Sequence, residues 1–399
     1  ILAVTFTNKA AGELKERVAR LLVRSGTPST SEPLGCTFHS ICARILRREI
    51  GVLGQGYSSR FTIYDQADSL KLIKECLRGV GRSVDDAGEV QARISAAKNT
   101  RLATAEEHAA RPDLPADEAF AARIRRLYDE RLRRNNALDF DDLLRKTVEL
   151  LRLPSVAGFY ASKYRCVLVD EYQDTNRLQF ELIRLLCAAH RNVCVVGDDA
   201  QGIYGFRGAD LRIILNFERL FPGARTIKLE RNYRSTGRLV QAANFLIAHN
   251  RTRIPKAVYT ENYLGEPISL YAAGDEHDEA EFVARETTAS LAASPSARIG
   301  VLYRTNTQSR PLEVALGRSR VPYNLVGGLS LYDRKEVKDL FSYLRLAANP
   351  DDELAFERAI MAPPRGIGQK TLDCLASVAA ENRCSRWTIA ARLVTAPLA

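Results

Sequence analysis

A chain of 399 residues with 46% hydrophobic and 27% charged residues is too long for one ordinary core and too apolar to be disordered. Its 58 Lys and Arg against 48 Asp and Glu give a formal net charge of +10, which suits a polyanionic partner without identifying one. No apolar run reaches the roughly 20 residues that span a bilayer, no signal peptide is visible, and the eight cysteines show no C-x-x-C spacing. The expectations are therefore a cytoplasmic, reduced chain with no membrane partner, disulfide framework or zinc site.

In chain order, residues 1–6 form a short apolar run that reads as a buried parallel strand. Thr7 or Asn8 caps the next helix, which places Ala10, Leu14, Val18 and Leu21 on one stripe and the pairs Glu13–Arg17 and Glu16–Arg20 outside. Strand followed by helix returns at 36–46, 166–170, 193–197 and 299–303. This alternation predicts α/β layers with parallel sheets flanked by helices. Cys166 and Cys194, inside two of these runs, read as small core residues. Between 69 and 151 only helices are expected, rich in Ala, Arg and Glu, as an insertion in the first α/β domain. From about Glu336 the chain turns helical again, with Val337, Leu340, Phe341 and Leu344 on one face, as a second insertion. The chain opens directly in a strand and its only Met is Met361, so it reads as a fragment.

Three segments carry candidate chemistry. In Cys166-Val167-Leu168-Val169-Asp170-Glu171-Tyr172-Gln173-Asp174, an apolar strand ends in two carboxylates at the carboxyl edge of a parallel sheet, where nucleotides bind. Magnesium prefers oxygen ligands and keeps several waters, so one carboxylate can hold it while the other orients or deprotonates a water attacking a γ-phosphate. An acidic pair of this kind also serves simply to cap a helix. The second segment, 193–201, is another apolar strand ending near Gln201, whose amide can hydrogen-bond both a phosphate oxygen and a water. Tyr204, Phe206 and Arg207 follow among glycines; rings beside a cation form a platform for unstacked bases, or pack a core. The third segment, 229–236, sets Tyr233 beside Arg234, an arrangement that suits adenine and phosphate but equally a surface salt bridge.

Taken in this order, the three segments resemble motifs II, III and IV of the superfamily 1 DNA helicases of the UvrD/Rep/PcrA family. Thr5-Phe6-Thr7-Asn8-Lys9-Ala10-Ala11 resembles motif Ia, and Thr37-Phe38-His39 resembles motif Ib. Asp139-Phe140-Asp141-Asp142-Leu143-Leu144 resembles the stretch before motif II. Tyr332-Asp333-Arg334-Lys335-Glu336-Val337-Lys338-Asp339 and Pro364-Arg365-Gly366-Ile367-Gly368 resemble parts of the second insertion.

The resemblance implies RecA-like P-loop NTPase domains with helical insertion subdomains. The first RecA-like domain would cover 1–62 and 150–225, with an insertion at 63–149. The second would cover 226–330, with a partial insertion at 331–399. It implies an ATP-dependent helicase that moves 3′ to 5′ along single-stranded DNA and opens single-strand/double-strand junctions, with ATP and Mg²⁺ as cofactors and repair or replication proteins as further partners. Asp170 would bind Mg²⁺, Glu171 would activate the hydrolytic water and Gln201 would sense the γ-phosphate. Tyr233 would stack on adenine and Arg234 would act as an arginine finger. Phe6, Tyr204, Phe206 and Arg207 would hold bases, with Thr7, Asn8 and His39 on the strand; many relatives carry Trp where this chain has Phe206. For His39, fixing a loop by hydrogen bonding is an equal alternative. Gly366 and Gly368 would expose backbone N–H groups to duplex DNA, with an interhelical turn as the alternative. Asp139, Asp141 and Asp142 read as a helix N-terminus in preference to a metal site.

No G-x-x-x-x-G-K-S/T loop occurs in the sequence, and motifs V and VI are absent. The expectation is that this polypeptide alone does not unwind DNA, while the intact parent is a DNA-stimulated ATPase. Two other readings remain at this level: the motor of a helicase–nuclease, and a DNA-binding protein with a dead ATPase. The joint presence of Asp170, Glu171, Gln201 and Arg234 argues against the last.

Overall fold

The computed structural model describes residues 1–24, 34–100, 115–326 and 334–395. It divides into two compact units, one of Ile1–Lys228, Asn250–Pro255 and Lys335–Ala399, the other of Leu229–His249 and Lys256–Arg334.

The first unit is built on a parallel sheet. Strand β1 (Leu2–Thr5) leads into helix α1 (Asn8–Arg24), and β2 (Leu34–Thr37) leads into α2 (Phe38–Glu49). Thr7 accepts a hydrogen bond from the Ala10 N–H (3.2 Å) and Thr37 accepts from the Ser40 N–H (3.3 Å), so a threonine at the end of each strand starts each helix. Strand β3 (Thr62–Tyr64) opens a helical insertion of α3 (Gln66–Gly79), α4 (Ala87–Thr100) and α5 (Ala116–Arg134). Strand β4 (Ala137–Asp139), α6 (Phe140–Leu151) and α7 (Pro154–Lys163) return the chain to the sheet, where β5 (Val167–Val169), α8 (Arg177–Cys187) and β6 (Val193–Val195) complete it. The four-stranded order is β2-β1-β5-β6, parallel throughout, with Leu2 opposite both Leu34 and Val167, and Leu168 opposite Cys194. Because all four strands run the same way, the residues after Thr5, Thr37, Val169 and Val195 emerge at one edge. The expected α/β class with parallel sheets flanked by helices is what the chain adopts.

Several expectations are corrected. The stretch 69–151 is not helical throughout: β4 lies within it and pairs in parallel with β3, Thr62 opposite Ala137. On α1 the inward residue is Ala11, flanked by half-buried Leu14, Val18 and Leu22, whereas Leu21 is exposed, because a 3.6-residue period carries the stripe to position 22. Cys166 is half-buried and Cys194 is exposed: β6 is an edge strand, and its Cys194 shares an uncovered face with Leu168.

The C-terminal helices α12 (Lys335–Ala348), α13 (Glu353–Met361), α14 (Gln369–Glu381) and α15 (Arg386–Thr395) belong to the first unit. The apolar stripe expected on α12 is not its buried face: Leu340 and Leu344 are exposed, while Ser342, Leu346 and the adjoining Asn349 are buried. Polar contacts decide this orientation. The Asn349 amide donates to Thr62 Oγ1 (3.0 Å) and to the carbonyls of Asn135 (2.9 Å) and Asn136 (3.1 Å), and Arg345 reaches Asp68 at 2.7 Å. Tyr64 donates to Asp352 at 2.8 Å. Tyr332 and Asp333 lie outside the described residues.

In the second unit, α9 (Gly237–Ile247) is followed by α10 (Glu276–Ala293) and α11 (Ser309–Arg318), the last two packing around Ala280, Ala284, Ala315, Leu316 and Val321. The expected strand at 299–303 is not formed. A ladder needs a partner backbone, and among the described residues none pairs there, so Leu302 remains 98% exposed.

Candidate functional site

The acidic edge is shaped by one backbone reversal. Asp170 still follows the sheet, its N–H donating to the Val4 carbonyl (2.9 Å). Glu171 then adopts φ +53°, in the left-handed region, which costs a residue with a Cβ about 1–2 kcal/mol. The reversal ends the in–out alternation of the strand: Asp170 and Glu171 both stay exposed, while Tyr172, Gln173 and Asp174 turn inward together. The Tyr172 N–H closes the turn on the Val196 carbonyl (2.9 Å).

Asp170 Oδ1 accepts the Glu171 N–H at 3.0 Å, which orients the carboxylate of this exposed residue. An exposed carboxylate held in this way fits Mg²⁺, which is commonly bound through one or two carboxylates with the rest of its shell as water and phosphate. Among the described residues, no group of three or more His, Cys, Asp or Glu converges as an all-protein metal cage.

Beneath the edge, Gln173 is 2% exposed and was not singled out from the sequence. Its Nε2 donates to Glu171 Oε2 (2.7 Å) and its Oε1 accepts the Asp198 N–H (3.0 Å). Asp198 in turn accepts from Gln201 Nε2 (2.9 Å), so the expected water-activating and phosphate-sensing side chains share one hydrogen-bonded path. Gly197 is required here: a Cβ on it would lie 2.7 Å from Gln173 Oε1 and 3.0 Å from Ile214 Cδ1.

The aromatic residues expected to hold bases come together beside this edge. Phe6 stacks on Tyr204, with centroids 5.6 Å apart and planes at 23°, and Tyr204 lies 6.0 Å from Phe206. The Arg207 guanidinium carbon sits 5.0 Å from the Tyr204 centroid and 5.5 Å from that of Phe206. Phe206, carried on the single turn Gly205–Arg207, is 78% exposed. An apolar ring that open, beside a cation and two further rings, packs no core. Thr7 and Asn8 are exposed on the same strand-to-helix turn as Phe6.

His39 lies edge-on to Phe140, with centroids 5.5 Å apart. Burial pulls the imidazole below its ordinary value despite nearby Asp141, so at neutral pH it offers one donor and one acceptor and no charge. Phe140, 47% exposed at the start of α6, is a ring the sequence reading passed over. Its signal was an apolar residue among the acids of a helix N-terminus, where no core position is needed. Asp139 is the N-cap of that helix, accepting the Asp142 N–H, with Asp141 and Asp142 in its first turn, as expected.

The second unit carries Tyr233 and Arg234. Tyr233 is exposed, and the cation over its ring is Arg231, 4.7 Å from the centroid and paired with Glu261, rather than the adjacent Arg234. Asn232 Oδ1 accepts the N–H groups of Arg234 (2.9 Å) and Ser235 (2.7 Å), a local turn that leaves the Arg234 side chain exposed. In the first unit, Gly366 takes φ +74° and Gly368 is the N-cap of α14, so the pair does open a helix.

Comparison with known proteins follows the same division of the chain. Residues 1–222 match the family model of the UvrD/REP helicase N-terminal domain, and residues 227–385 match that of the UvrD-like helicase C-terminal domain. The chain is 44% identical over 392 residues to a Bacillus subtilis protein named ATP-dependent DNA helicase PcrA, an alignment that takes in 96% of this chain and 52% of the relative. Proteins of the same name from Staphylococcus epidermidis and Staphylococcus aureus are each 42% identical, over 97% of this chain and 52% of their own length. The chain thus spans about half the length of these relatives.

Proposed function

The chain belongs to the UvrD/REP helicase family, and from that premise we propose that it forms part of an ATP-driven motor that moves 3′ to 5′ on single-stranded DNA and opens duplex junctions. The observation that carries the reading is the convergence, at one edge of one parallel sheet, of an acidic pair, the Gln173–Asp198–Gln201 path and an exposed three-ring platform. Each of these alone has an ordinary structural explanation; an ATPase driven by DNA needs all three side by side.

In this reading Glu171 orients and deprotonates the attacking water, Gln201 contacts the γ-phosphate, and Asp170 would hold Mg²⁺. The bound ion would neutralise charge on the phosphates. Tyr233 stacks on adenine and Arg234 stabilises the transferred phosphoryl group. Phe6, Tyr204, Phe206 and Arg207 seat bases, with Thr7, Asn8, His39 and Phe140 along the strand. Gly366 and Gly368 offer backbone N–H groups to duplex phosphate. We assign 1–62 and 150–225 to the first motor domain, 63–149 to its insertion, 226–330 to the second motor domain and 331–399 to the second insertion. A role in repair or replication restart, with partners from those processes, follows from the same reading.

Two measurements test it. The full-length protein should unwind a duplex with a 3′ single-stranded tail in the presence of ATP and leave a 5′-tailed duplex intact; the opposite preference would overturn the polarity. Phe206→Ala should weaken single-stranded DNA binding by about 1–3 kcal/mol, equally for different base compositions, because stacking uses a face that every base has. Fluorescence anisotropy with labelled homopolymers reads this directly, and an unchanged affinity would remove Phe206 from the platform.

A further inference from the structure

We infer that Gln173 is a positioning residue that ties the Glu171 carboxylate to the segment bearing Gln201 and the aromatic platform, so that DNA on the rings and the attacking water are set through one side chain. The inference rests on the roles proposed above for Glu171 and for the rings.

Gln173 has partners that fix its amide without ambiguity: a carboxylate can only accept, and a peptide N–H can only donate. Only a side chain with a donor and an acceptor on one planar group satisfies both. Met in its place would fill the volume and make neither bond. Glu would keep the acceptor for the Asp198 N–H but set a second carboxylate against Glu171. The amide is also held in register by its surroundings: Gly197 leaves no room for a Cβ beside Oε1, and the Gln173 N–H face lies against the same glycine.

The path continues beyond Asp198. The Gln201 N–H donates to the Asp198 carbonyl (2.9 Å), the Ile203 N–H to Gln201 (2.9 Å) and the Arg207 N–H to Tyr204 (2.9 Å), so the segment from Asp198 to Arg207 is a run of tight turns. At its far end the Asp210 N–H donates to the Thr175 carbonyl (3.1 Å), and Asn176 bridges Ala209. Backbone bonds thus hold the two segments together at both ends, Asp210 to Thr175 and Tyr172 to Val196, while the connection to the Glu171 carboxylate runs through the Gln173 side chain. Loss of that side chain would free the carboxylate while the remaining ties keep the segments folded.

The test uses Gln173→Met and Gln173→Glu in the full-length protein, with ATP turnover measured with and without an oligothymidylate. Both variants should lower the DNA-stimulated kcat by about 10- to 100-fold, the range for residues that act through another group. The KM for ATP and the anisotropy Kd for the oligonucleotide should stay within about twofold. The ratio of turnover with DNA to turnover without it should fall in both. A DNA-stimulated kcat within about twofold of wild type in either variant would overturn the inference, as would a loss of kcat accompanied by an equal loss of DNA affinity and a lowered melting temperature, the signature of a merely structural role. A wild-type protein that hydrolyses no ATP on DNA would instead remove the proposed roles of Glu171 and the rings beneath it.

Discussion

Glu171→Gln in the full-length protein is expected to lower DNA-stimulated ATP turnover by about 10²- to 10⁴-fold, the contribution of a positioned general base. The substitution is close to a pure chemical test because the geometry around residue 171 survives it. The side chain is exposed at the sheet edge and one oxygen is engaged, by Gln173 Nε2. A glutamine can present its carbonyl oxygen to that donor and so keep the hydrogen bond, while its amide nitrogen replaces the oxygen that would accept a proton from water. The left-handed backbone at this position is held by the Asp170 and Tyr172 hydrogen bonds, which do not involve the side chain. Binding of a non-hydrolysable ATP analogue and of single-stranded DNA should therefore change by no more than about twofold. Turnover near the wild-type value would show that another group accepts the proton. A kcat that is preserved while nucleotide affinity falls would place Glu171 in binding instead.

How much of this site is legible in the sequence depends on which physical rule governs each residue. The strands ending at Val169 and Val195 are continuous apolar runs followed by polar residues, the pattern that marks strands of a parallel sheet even where, as at Leu168 and Cys194, one face stays uncovered. Their shared edge follows from parallel order, so the gathering of Phe6, His39, Asp170 and Gln201 at one side is legible in the sequence. The environment of Gln173 is not, because strand alternation extended past Val169 would turn Glu171 and Gln173 inward together and Tyr172 and Asp174 outward. The reversal at φ +53° breaks the period, leaving Glu171 exposed while Tyr172, Gln173 and Asp174 are buried side by side, and so sets the glutamine beneath the carboxylate. The buried face of α12 was hidden for a different reason: hydrophobic periodicity marks faces that bury carbon, and this one carries half-buried Arg345 and the adjoining buried Asn349, hydrogen-bonded to residues more than 200 positions away. Apolar spacing at 299–303 misled in the other direction, since it records a tendency to be buried and says nothing of whether a partner strand is present.

The helical insertion depends on a buried cation, and its removal gives the largest stability effect expected in the chain. Lys98, fully buried on α4, lies 2.7 Å from Asp139, 2.9 Å from Asp142 and 3.2 Å from Asp129. Burial pulls the Lys98 ammonium down, yet the three carboxylates outweigh it and hold the group well above its ordinary value. Lys98→Met keeps much of the volume and strands those carboxylates. Asp142 retains Arg145 at 3.0 Å and Asp129 retains Arg125 at 3.5 Å, but Asp139 is left with the Tyr128 hydroxyl (2.9 Å) and a capping N–H. Breaking a buried pair in this way costs about 3–5 kcal/mol. The loss should depend on pH with a definite sign. In the native protein burial, then Asp142, push the Asp139 carboxyl up to about 7 against the pull of Lys98. A raised carboxyl means that the folded state holds a proton the unfolded state has released, so this group favours folding below its unfolded value near 4 and loses that contribution as pH rises through about 7. Without Lys98 the carboxyl rises further, and the variant should be penalised less at pH 6 than at pH 8. Urea denaturation of the full-length protein, followed by the far-ultraviolet signal at both pH values, measures this, and Asp139→Asn added to Lys98→Met should recover part of the loss at pH 8. Asn99, next to Lys98, donates to Asp141 (2.7 Å) and accepts from Asn176 (3.1 Å), two residues beyond the inward turn that carries Gln173 and Asp174. Destabilising α4 is thus expected to loosen the acidic edge as well, and a variant as stable as wild type at pH 8 would show that the ionic cluster contributes nothing to holding the insertion against the sheet.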